Sequence, residues 1–370
     1  MLLHAYYHLQ QQIHDLGEII MNNVSQLAFD LTEQGLVPDV VIRRGIRHML
    51  KQRLKEIHSD NTEVMAEQFS EFVQQLQTSA VALLTEKANE QHYEVPATFF
   101  QRALGPHLKY SCAYWPEGVN KLGDAEEAAL AQTCMNADLH DGQNILELGC
   151  GWGSLTLWMA SQYPDSHITA VSNSHSQREF IENQAKERAL DNLTIITCDM
   201  NDLKTGANQF DRVVSVEMFE HMRNWPDLYS RVARWLKPGG RFFKHIFVHR
   251  STPYLFEDNG PSDWMSRYFF SGGMMPSDDL PLVFQSDLKF INRWHWDGRH
   301  YEKTSNAWLA SMDSNRDALW PVFEKTYGAD NAQVWWSRWR IFFMACAELF
   351  GYRQGQEWLV SHYLFEKPEK

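Results

Sequence analysis

No uncharged apolar run in these 370 residues approaches the roughly 20 needed to cross a bilayer, so no stable membrane insertion is expected. The opening stretch MLLHAYYHLQQQIHDLGEII lacks a basic segment, an apolar block and a small-residue cleavage site, which argues against a secretory signal. Cysteine is scarce. Cys112, Cys134, Cys150, Cys198 and Cys346 form no C-x-x-C pair and no zinc spacing, so they read as reduced thiols of a cytoplasmic protein without a metal site. Basic residues are outnumbered, 34 Lys and Arg against 47 Asp and Glu, and the net charge of −13 argues against a nucleic-acid or anionic-membrane surface. Internal repeats and low-complexity segments are absent. A homo-oligomer stays open, because nothing in the sequence fixes the assembly.

What is present is the composition of a globular chain, 44% hydrophobic and 22% charged, long enough for one large or two ordinary domains. Fourteen tryptophans and 21 phenylalanines suggest an aromatic-lined cavity, with core packing as the competing account of each ring.

Residues 1–105 read as a helical N-terminal region. VVIRRGIRHMLKQRLKEI repeats apolar residues at spacings of three and four, and SDNTE is a capping-type start for a second helical run. The basic cluster Arg43, Arg44, Arg47, Lys51, Arg53 and Lys55 reads as a solvated helix face or a binding stripe. From about residue 140 the period changes. NILELGC, HITAVSNS, LTIITCD, FDRVVSVEMF and RFFKHIFVHR read as strands, with helical GWGSLTLWMASQ, SQREFIENQAKERA and PDLYSRVARWL between them. The last helix is expected to stop at Pro238-Gly239-Gly240. EWLVSHYLFEK reads as a final strand. Such alternation implies an α/β fold, a mostly parallel Rossmann-like sheet covered on both faces, over 106–370. Residues 251–290 are loop-rich and aromatic and look like an inserted lid.

The first strand runs into Glu147-Leu148-Gly149-Cys150-Gly151-Trp152-Gly153 and then a helix. Glycines at 149, 151 and 153 let a ligand approach the backbone, and the helix N-terminus offers free N–H groups. The spacing is G-x-G-x-G after an acid, rather than the G-x-G-x-x-G of pyrophosphate binders, which suits a cofactor with a charged amino-acid end and no phosphate. Asp199 and Met200 end the third strand, where a carboxylate accepts a bond from an adenine amino group. Asn173 or Gln177, after the second strand, would hold ribose hydroxyls as neutral partners.

These residues resemble class I S-adenosylmethionine-dependent methyltransferases, whose sheet has seven strands, the last antiparallel. More narrowly, about residues 35–367 resemble the cyclopropane-fatty-acyl-phospholipid synthase superfamily, and within it the branch of coclaurine N-methyltransferases. The likeness is carried by VPDVVIRRGIR, ANEQHYEVPATFF, LKYSCAYWP, ILELGCGWGSLTL, SVEMFEHM, DWMSRYFFSGGMMPS and AELFGYRQGQEWLVSHYLF. It implies S-adenosylmethionine as cofactor, with Tyr110 and Ser111 among the residues that contact it. It also implies an N-methylated small amine, aromatic or alkaloid-like, and cyclopropane formation on unsaturated lipid acyl chains as the alternative.

Methyl transfer from a sulfonium is an in-line displacement, so the enzyme chiefly positions a nucleophile in a dry site. An amine attacks only when neutral, which makes a base useful. Glu217, Glu220 and His221 follow the fourth strand. If helical there, they share a face, and Glu217 also borders the cofactor. The branch resembled implies a substrate role for them; capping or bridging of secondary structure is the plainer account of Glu220 and His221. Tyr93 and Glu94 match another substrate-side pair, with an N-terminal helix contact as the alternative for Glu94. Cyclopropane synthases hold a bicarbonate with Cys, Glu, His and Tyr. Cys112, Glu220 and His245 match the first three, while the tyrosine position falls in Ile341-Phe342-Phe343 and offers no hydroxyl. That departure favours the amine. Cys112 also reads as a buried small apolar residue. Phe256, Trp264, Tyr268, Phe269 and Phe270 are candidates for the cavity wall, since aromatic faces attract cations.

Overall fold

The structure, a computed structural model, describes residues 27–58, 60–82, 95–258, 260 and 263–369. After a helical stretch at 27–33 come α1 (Asp39–Glu56) and α2 (Thr62–Thr78). SDNTE starts α2 because Asn61 accepts the Val64 N–H at 3.2 Å, satisfying a donor that a helix's first turn leaves free. The basic cluster on α1 is only partly a solvated face. Arg43 and Arg47 reach Glu348, and Arg53 reaches Asp263, so these three tie the helix to distant segments. After α3 (Ala97–Ala103) and α4 (Leu122–Asn136) the alternation begins.

The central run is β1 (Asn144–Leu148), α5 (Ser154–Gln162), β2 (His167–Ser172), α6 (His175–Glu187), β3 (Leu193–Thr197), β4 (Phe210–Val216), α7 (Trp225–Trp235) and β5 (Leu236–His249). β1 is buried from Ile145 onward, the mark of a parallel strand covered on both faces. α7 starts where Asn224 accepts the Asp227 N–H at 3.0 Å, with Pro226 in the first turn. Trp225, Leu228, Tyr229, Val232 and Trp235 then bury one face against the sheet. Each contributes about 2–3 kcal/mol by leaving water. Contrary to expectation, Pro238-Gly239-Gly240 does not separate helix from strand. The helix ends at Trp235, and the three residues form a bulge inside β5, where pairing jumps from Phe210–Leu236 to Arg212–Arg241.

Beyond β5 come the ribbon of β6 (Tyr254–Leu255) and β7 (Met274–Met275), the short α8 (Trp264–Tyr268) between them, and β8 (Lys289–Trp296). Helices α9 (Arg299–Ser314), α10 (Arg316–Tyr327) and α11 (Ala332–Gly351) follow, and β9 (Trp358–Glu366) closes the fold. The large sheet has seven strands in the order β3-β2-β1-β4-β5-β9-β8, and β9 runs against its neighbours β5 and β8. This is the expected Rossmann-like class I methyltransferase sheet, with its last strand antiparallel and seated one place in from the edge. β8 and the helices α9–α11 lay outside the sequence reading, because their stretch breaks the strand–helix alternation. α11 receives α1 through Arg43 and Arg47 on Glu348 and through Arg340 on Asp39. Trp308, Trp339 and Phe343 pack where α3, α9 and α11 meet. No helix among the described residues is long and apolar enough to cross a membrane.

Candidate active site

Four parallel strands, β1 to β4, end on one edge of the sheet, and a cavity opens there under the cover formed by α9, α11 and the segment after α8. One half is built by short stretches of chain. Gly149, Gly151 and Gly153 all have positive φ, at 80°, 51° and 79°. Their roles differ. A Cβ on Gly149 would meet Met218 at 2.6 Å and one on Gly153 would meet Ile181 at 2.6 Å, whereas one on Gly151 would meet nothing within 4 Å. Only Gly151 of the three therefore keeps a path to the backbone open. Beneath the loop, Glu147 is 3% exposed and accepts the Thr156 hydroxyl at 2.5 Å. Burial pushes its carboxyl up to about 7.

Across β2, Ser172 donates to Gln177 Oε1 at 2.7 Å. Gln177 Nε2 and Ser154 Oγ are buried at the cavity without a hydrogen-bond partner among the described residues. A ligand carrying hydroxyls and an amino-acid end fits these donors, the open Gly151 backbone and the carboxyl of Glu147. Tyr110, Ser111, Asn173 and Met200 line the same space. Asp199 is half-buried beside it, between the lining residues Cys198 and Met200, and accepts the Asn201 N–H at 2.7 Å.

The other half gathers residues from remote parts of the chain. Glu217 is not helical. It stands at φ 48°, a left-handed conformation that costs a residue with a Cβ about 1 kcal/mol, and the 3₁₀ turn begins only at Phe219. Glu217, Glu220 and His221 thus share no helical face. Glu217 and His221 line the cavity, and the His221 ring stacks on Phe270 at 4.3 Å. Glu220 turns inward, fully buried. Its Oε1 accepts the Phe247 N–H at 2.8 Å, while Oε2 has no hydrogen-bond partner among the described residues. Burial, and then the neighbouring Glu217, hold the Glu220 carboxyl well above the usual range. Burial lifts Glu217 too, but the ammonium of Lys109 and the N–H of Cys112 draw it back. Lys244, pressed by burial well below its ordinary value, donates to Tyr229 at 2.7 Å and sits 3.8 Å from the Trp225 ring.

Cys112 and His245 both serve Glu217. Its Oε1 accepts the Cys112 N–H at 2.9 Å and faces His245 Nε2 at 3.0 Å. The expectation that no tyrosine hydroxyl is at hand fails in one respect: Tyr301, on α9, donates to Glu217 Oε2 at 2.7 Å. Of the five aromatic wall candidates, Phe270 alone lines the cavity, joined by Phe247, Trp308 and Phe342. Trp264 is buried with its Nε1 on Glu33, and Phe269 packs flat on Phe342, so both stand behind the wall. Tyr93 and Glu94 lie outside the described residues. Lys109, Tyr301, Trp308 and Phe342 were missed as site residues. Lys109 had a signal, its place inside LKYSC; the other three sit on helices whose aromatic repeats read equally well as core.

The sequence matches the profile of the mycolic acid cyclopropane synthetase family over residues 83–358. It is 36% identical to an (S)-coclaurine N-methyltransferase of Thalictrum flavum subsp. glaucum over 339 residues, 90% of this chain and 94% of that protein. It is 34% identical to a cyclopropane-fatty-acyl-phospholipid synthase of Escherichia coli strain K12 over 275 residues, 73% of this chain and 66% of that one. The fold is similar to the crystal structure of coclaurine N-methyltransferase bound to N-methylheliamine and S-adenosylhomocysteine, at TM-score 0.88 and 34% identity, covering 92% of this chain and 99% of that one. A profile match along most of the chain and the glycine-loop sheet beneath it agree: this chain belongs to the mycolic acid cyclopropane synthetase family and is an S-adenosylmethionine-dependent methyltransferase.

Proposed function

We propose that this methyltransferase transfers its methyl group to the nitrogen of a small, hydrophobic, alkaloid-like amine. The observation that carries the reading is the acceptor half of the cavity, where Phe247, Phe270, Trp308 and Phe342 line the same space as the carboxylate of Glu217 and the imidazole of His221, which stacks on Phe270. Aromatic faces and a buried anion attract a cation that also carries apolar surface. Similarity to coclaurine N-methyltransferases along 90% of the chain supports the same class of acceptor.

When bound, S-adenosylmethionine supplies an electrophilic methyl on a sulfonium. Glu147 would face its ammonium, the open Gly151 backbone its amino-acid end together with Tyr110 and Ser111, Asn173 and Gln177 the ribose, and Asp199 and Met200 the adenine. The chain's remaining task is to hold the amine in line and free its lone pair. His221 lines the cavity and accepts the ammonium proton as general base. Glu220, next in sequence and kept protonated by burial and by Glu217, would stay neutral behind it. Glu217 offsets the positive charge of the incoming amine. The 251–290 segment, with α9 and α11, would act as the cover that keeps water out; Phe270 and Ser271 are that segment's contribution to the lining, and no described residue of 1–105 reaches it. The cavity needs no membrane contact, and a cytoplasmic setting suits the free cysteines.

The test offers labelled S-adenosylmethionine to a panel of secondary and tertiary amines, including tetrahydroisoquinolines, and separately to unsaturated phospholipid vesicles with bicarbonate. Label in an amine, lost in Glu220→Ala and His221→Ala variants, is the expected result. Label in the lipid with the amines inert would replace this reading by acyl-chain modification.

A further inference from the structure

A second cavity, of about 160 Å³, adjoins the glycine loop and has no part in the methyl transfer described above. Its walls come from Trp158 and Ser161 on α5, Phe180 on α6, His107 in the stretch between α3 and α4, and Arg188 just past the end of α6. Leu108, Trp152 and Ser154 complete it, and these three residues also line the cofactor cavity. The two cavities are therefore neighbours across a single partition.

The chemistry of the second cavity is one-sided. No Asp or Glu among the described residues lines it. Arg188 is exposed, and its one side-chain hydrogen bond among the described residues goes to the amide oxygen of Gln184, at 2.9 Å. Its guanidinium thus has no carboxylate partner there. Trp152 is 2% exposed, yet its Nε1–H has no acceptor among the described residues, and the buried Ser154 Oγ has no partner either. A buried donor without an acceptor is a standing cost that a ligand oxygen would remove.

Rings supply much of the remaining surface. His107 stands edge-on to Trp158 at 5.6 Å, and Phe180 edge-on to Trp152 at 5.5 Å. Trp152 also packs on Phe100 at 5.1 Å, and Phe100 meets Tyr110 of the cofactor cavity at 5.1 Å. A cavity of about 150 Å³ holds one benzene ring. A flat ring bearing a carboxylate suits both the aromatic walls and the unpaired cation.

We infer that this cavity is a second ligand site, for a small aromatic carboxylate of the benzoate class, and that its occupation weakens cofactor binding through the shared partition. The carboxylate meets the Arg188 guanidinium, and the ring lies among His107, Trp158 and Phe180. The coupling has a specific cause. A serine hydroxyl has one proton to donate. Ser154 borders both cavities, so an acceptor in one withdraws that proton from the other. Loss of one ordinary hydrogen bond should weaken either ligand by about three- to ten-fold, and linkage makes the factor equal in both directions. The site does not depend on which acceptor the enzyme methylates.

The experiment titrates the whole chain with sodium benzoate by calorimetry, with and without saturating S-adenosylhomocysteine. Benzoate should bind the cofactor-free protein with a Kd of about 1 mM, and neutral benzamide much more weakly. Arg188→Gln should weaken benzoate about ten-fold by removing the charge. Ser161→Trp, at an exposed position of α5, fills the cavity and should abolish binding. Both variants should keep the wild-type affinity for S-adenosylhomocysteine, which shows that they are folded; if Ser161→Trp fails to fold, Arg188→Gln decides. Saturating S-adenosylhomocysteine should raise the benzoate Kd, and benzoate should raise that of S-adenosylhomocysteine by the same factor. Ser154→Ala should erase this coupling and Ser154→Thr should keep it. A wild type that binds no benzoate would overturn the site. So would equal benzoate affinity in wild type and Arg188→Gln, which would place the ligand in the acceptor cavity instead. Benzoate affinity indifferent to S-adenosylhomocysteine, or coupling that survives in Ser154→Ala, would overturn the shared partition.

Discussion

The two halves of the cavity are built in opposite ways. The half proposed to hold the cofactor comes from three short stretches, 147–153, 172–177 and 198–200, each at the end of a parallel strand, and backbone conformation does much of its work. The acceptor half is assembled from side chains far apart in sequence. Cys112 and Glu217 are 105 positions apart, and Tyr301 and Glu217 are 84 apart. A site made by one loop conformation tolerates little change within that loop. A site made by distant side chains divides its labour, so single replacements there should separate binding from chemistry.

The largest effect should come from the acceptor half. His221→Ala removes the proposed base while leaving the glycine loop untouched, so kcat should fall by about 10²–10⁴-fold. Calorimetry with S-adenosylhomocysteine should read the same affinity as wild type. A matching loss of cofactor affinity would mean that the two halves are not separable at this residue. Gly151→Val is the converse experiment. Because no neighbour stands within 4 Å of a Cβ there, the fold has room for the side chain, although the positive φ adds local strain. Cofactor binding should weaken about 100-fold, roughly 2.7 kcal/mol, by obstruction of the backbone. Gly153→Ala should instead lower the melting temperature, since its Cβ would run into Ile181 at 2.6 Å. Equal affinities for Gly151→Val and wild type would remove the close-approach argument.

The same contrast explains what could be read in the sequence. Strand–helix alternation and the G-x-G-x-G loop are local patterns, and they revealed the sheet and the glycine loop at the cavity. Glu217 and His221 were visible as chemistry-bearing residues after β4, but not their arrangement. A helical spacing rule put them with Glu220 on one face, and the positive φ of Glu217 breaks that rule. Trp264 and Phe269 look no different in sequence from Phe270, yet only Phe270 reaches the lining. Burial side is a tertiary property that aromatic composition does not encode. Tyr301 escaped notice for a related reason. Its helix lies in the stretch where alternation lapses, and its hydroxyl acquires a role only because α9 folds over the end of β4.

A third replacement grades the acceptor wall. Phe342→Leu keeps most of the volume at that position and removes the ring face. If aromatic faces hold a cationic amine, KM for the amine should rise about 5- to 10-fold, roughly 1–1.4 kcal/mol, with kcat little altered. The effect should shrink for a neutral analogue of the same shape. An equal loss for charged and neutral ligands would assign Phe342 to plain apolar packing.

The gentlest probe belongs to the cofactor half and uses pH. Burial holds the Glu147 carboxyl at about 7 in the folded protein, against 4.5 for an ordinary glutamate. The folded state therefore keeps a proton that the unfolded chain releases near 4.5. The stability this group contributes is fully present below that pH and is lost as pH rises through about 7. At about 1.4 kcal/mol per pH unit the loss is at most roughly 3 kcal/mol, which amounts to a few degrees of melting temperature in a chain of this size. Glu126, also raised to about 7 by burial while it pins the N–H groups of Gly105 and His107, adds to the same slope. The cofactor-free protein should thus melt progressively lower from pH 5 to 7.5, and Glu147→Gln should flatten part of that decline. Adding S-adenosylhomocysteine, which brings an ammonium to Glu147, should flatten it as well in the wild type but much less in the glutamine variant. If the variant shows the full decline and the full response to the ligand, the carboxyl under the glycine loop has no electrostatic part in holding the cofactor. That half of the site would then rest on its backbone alone.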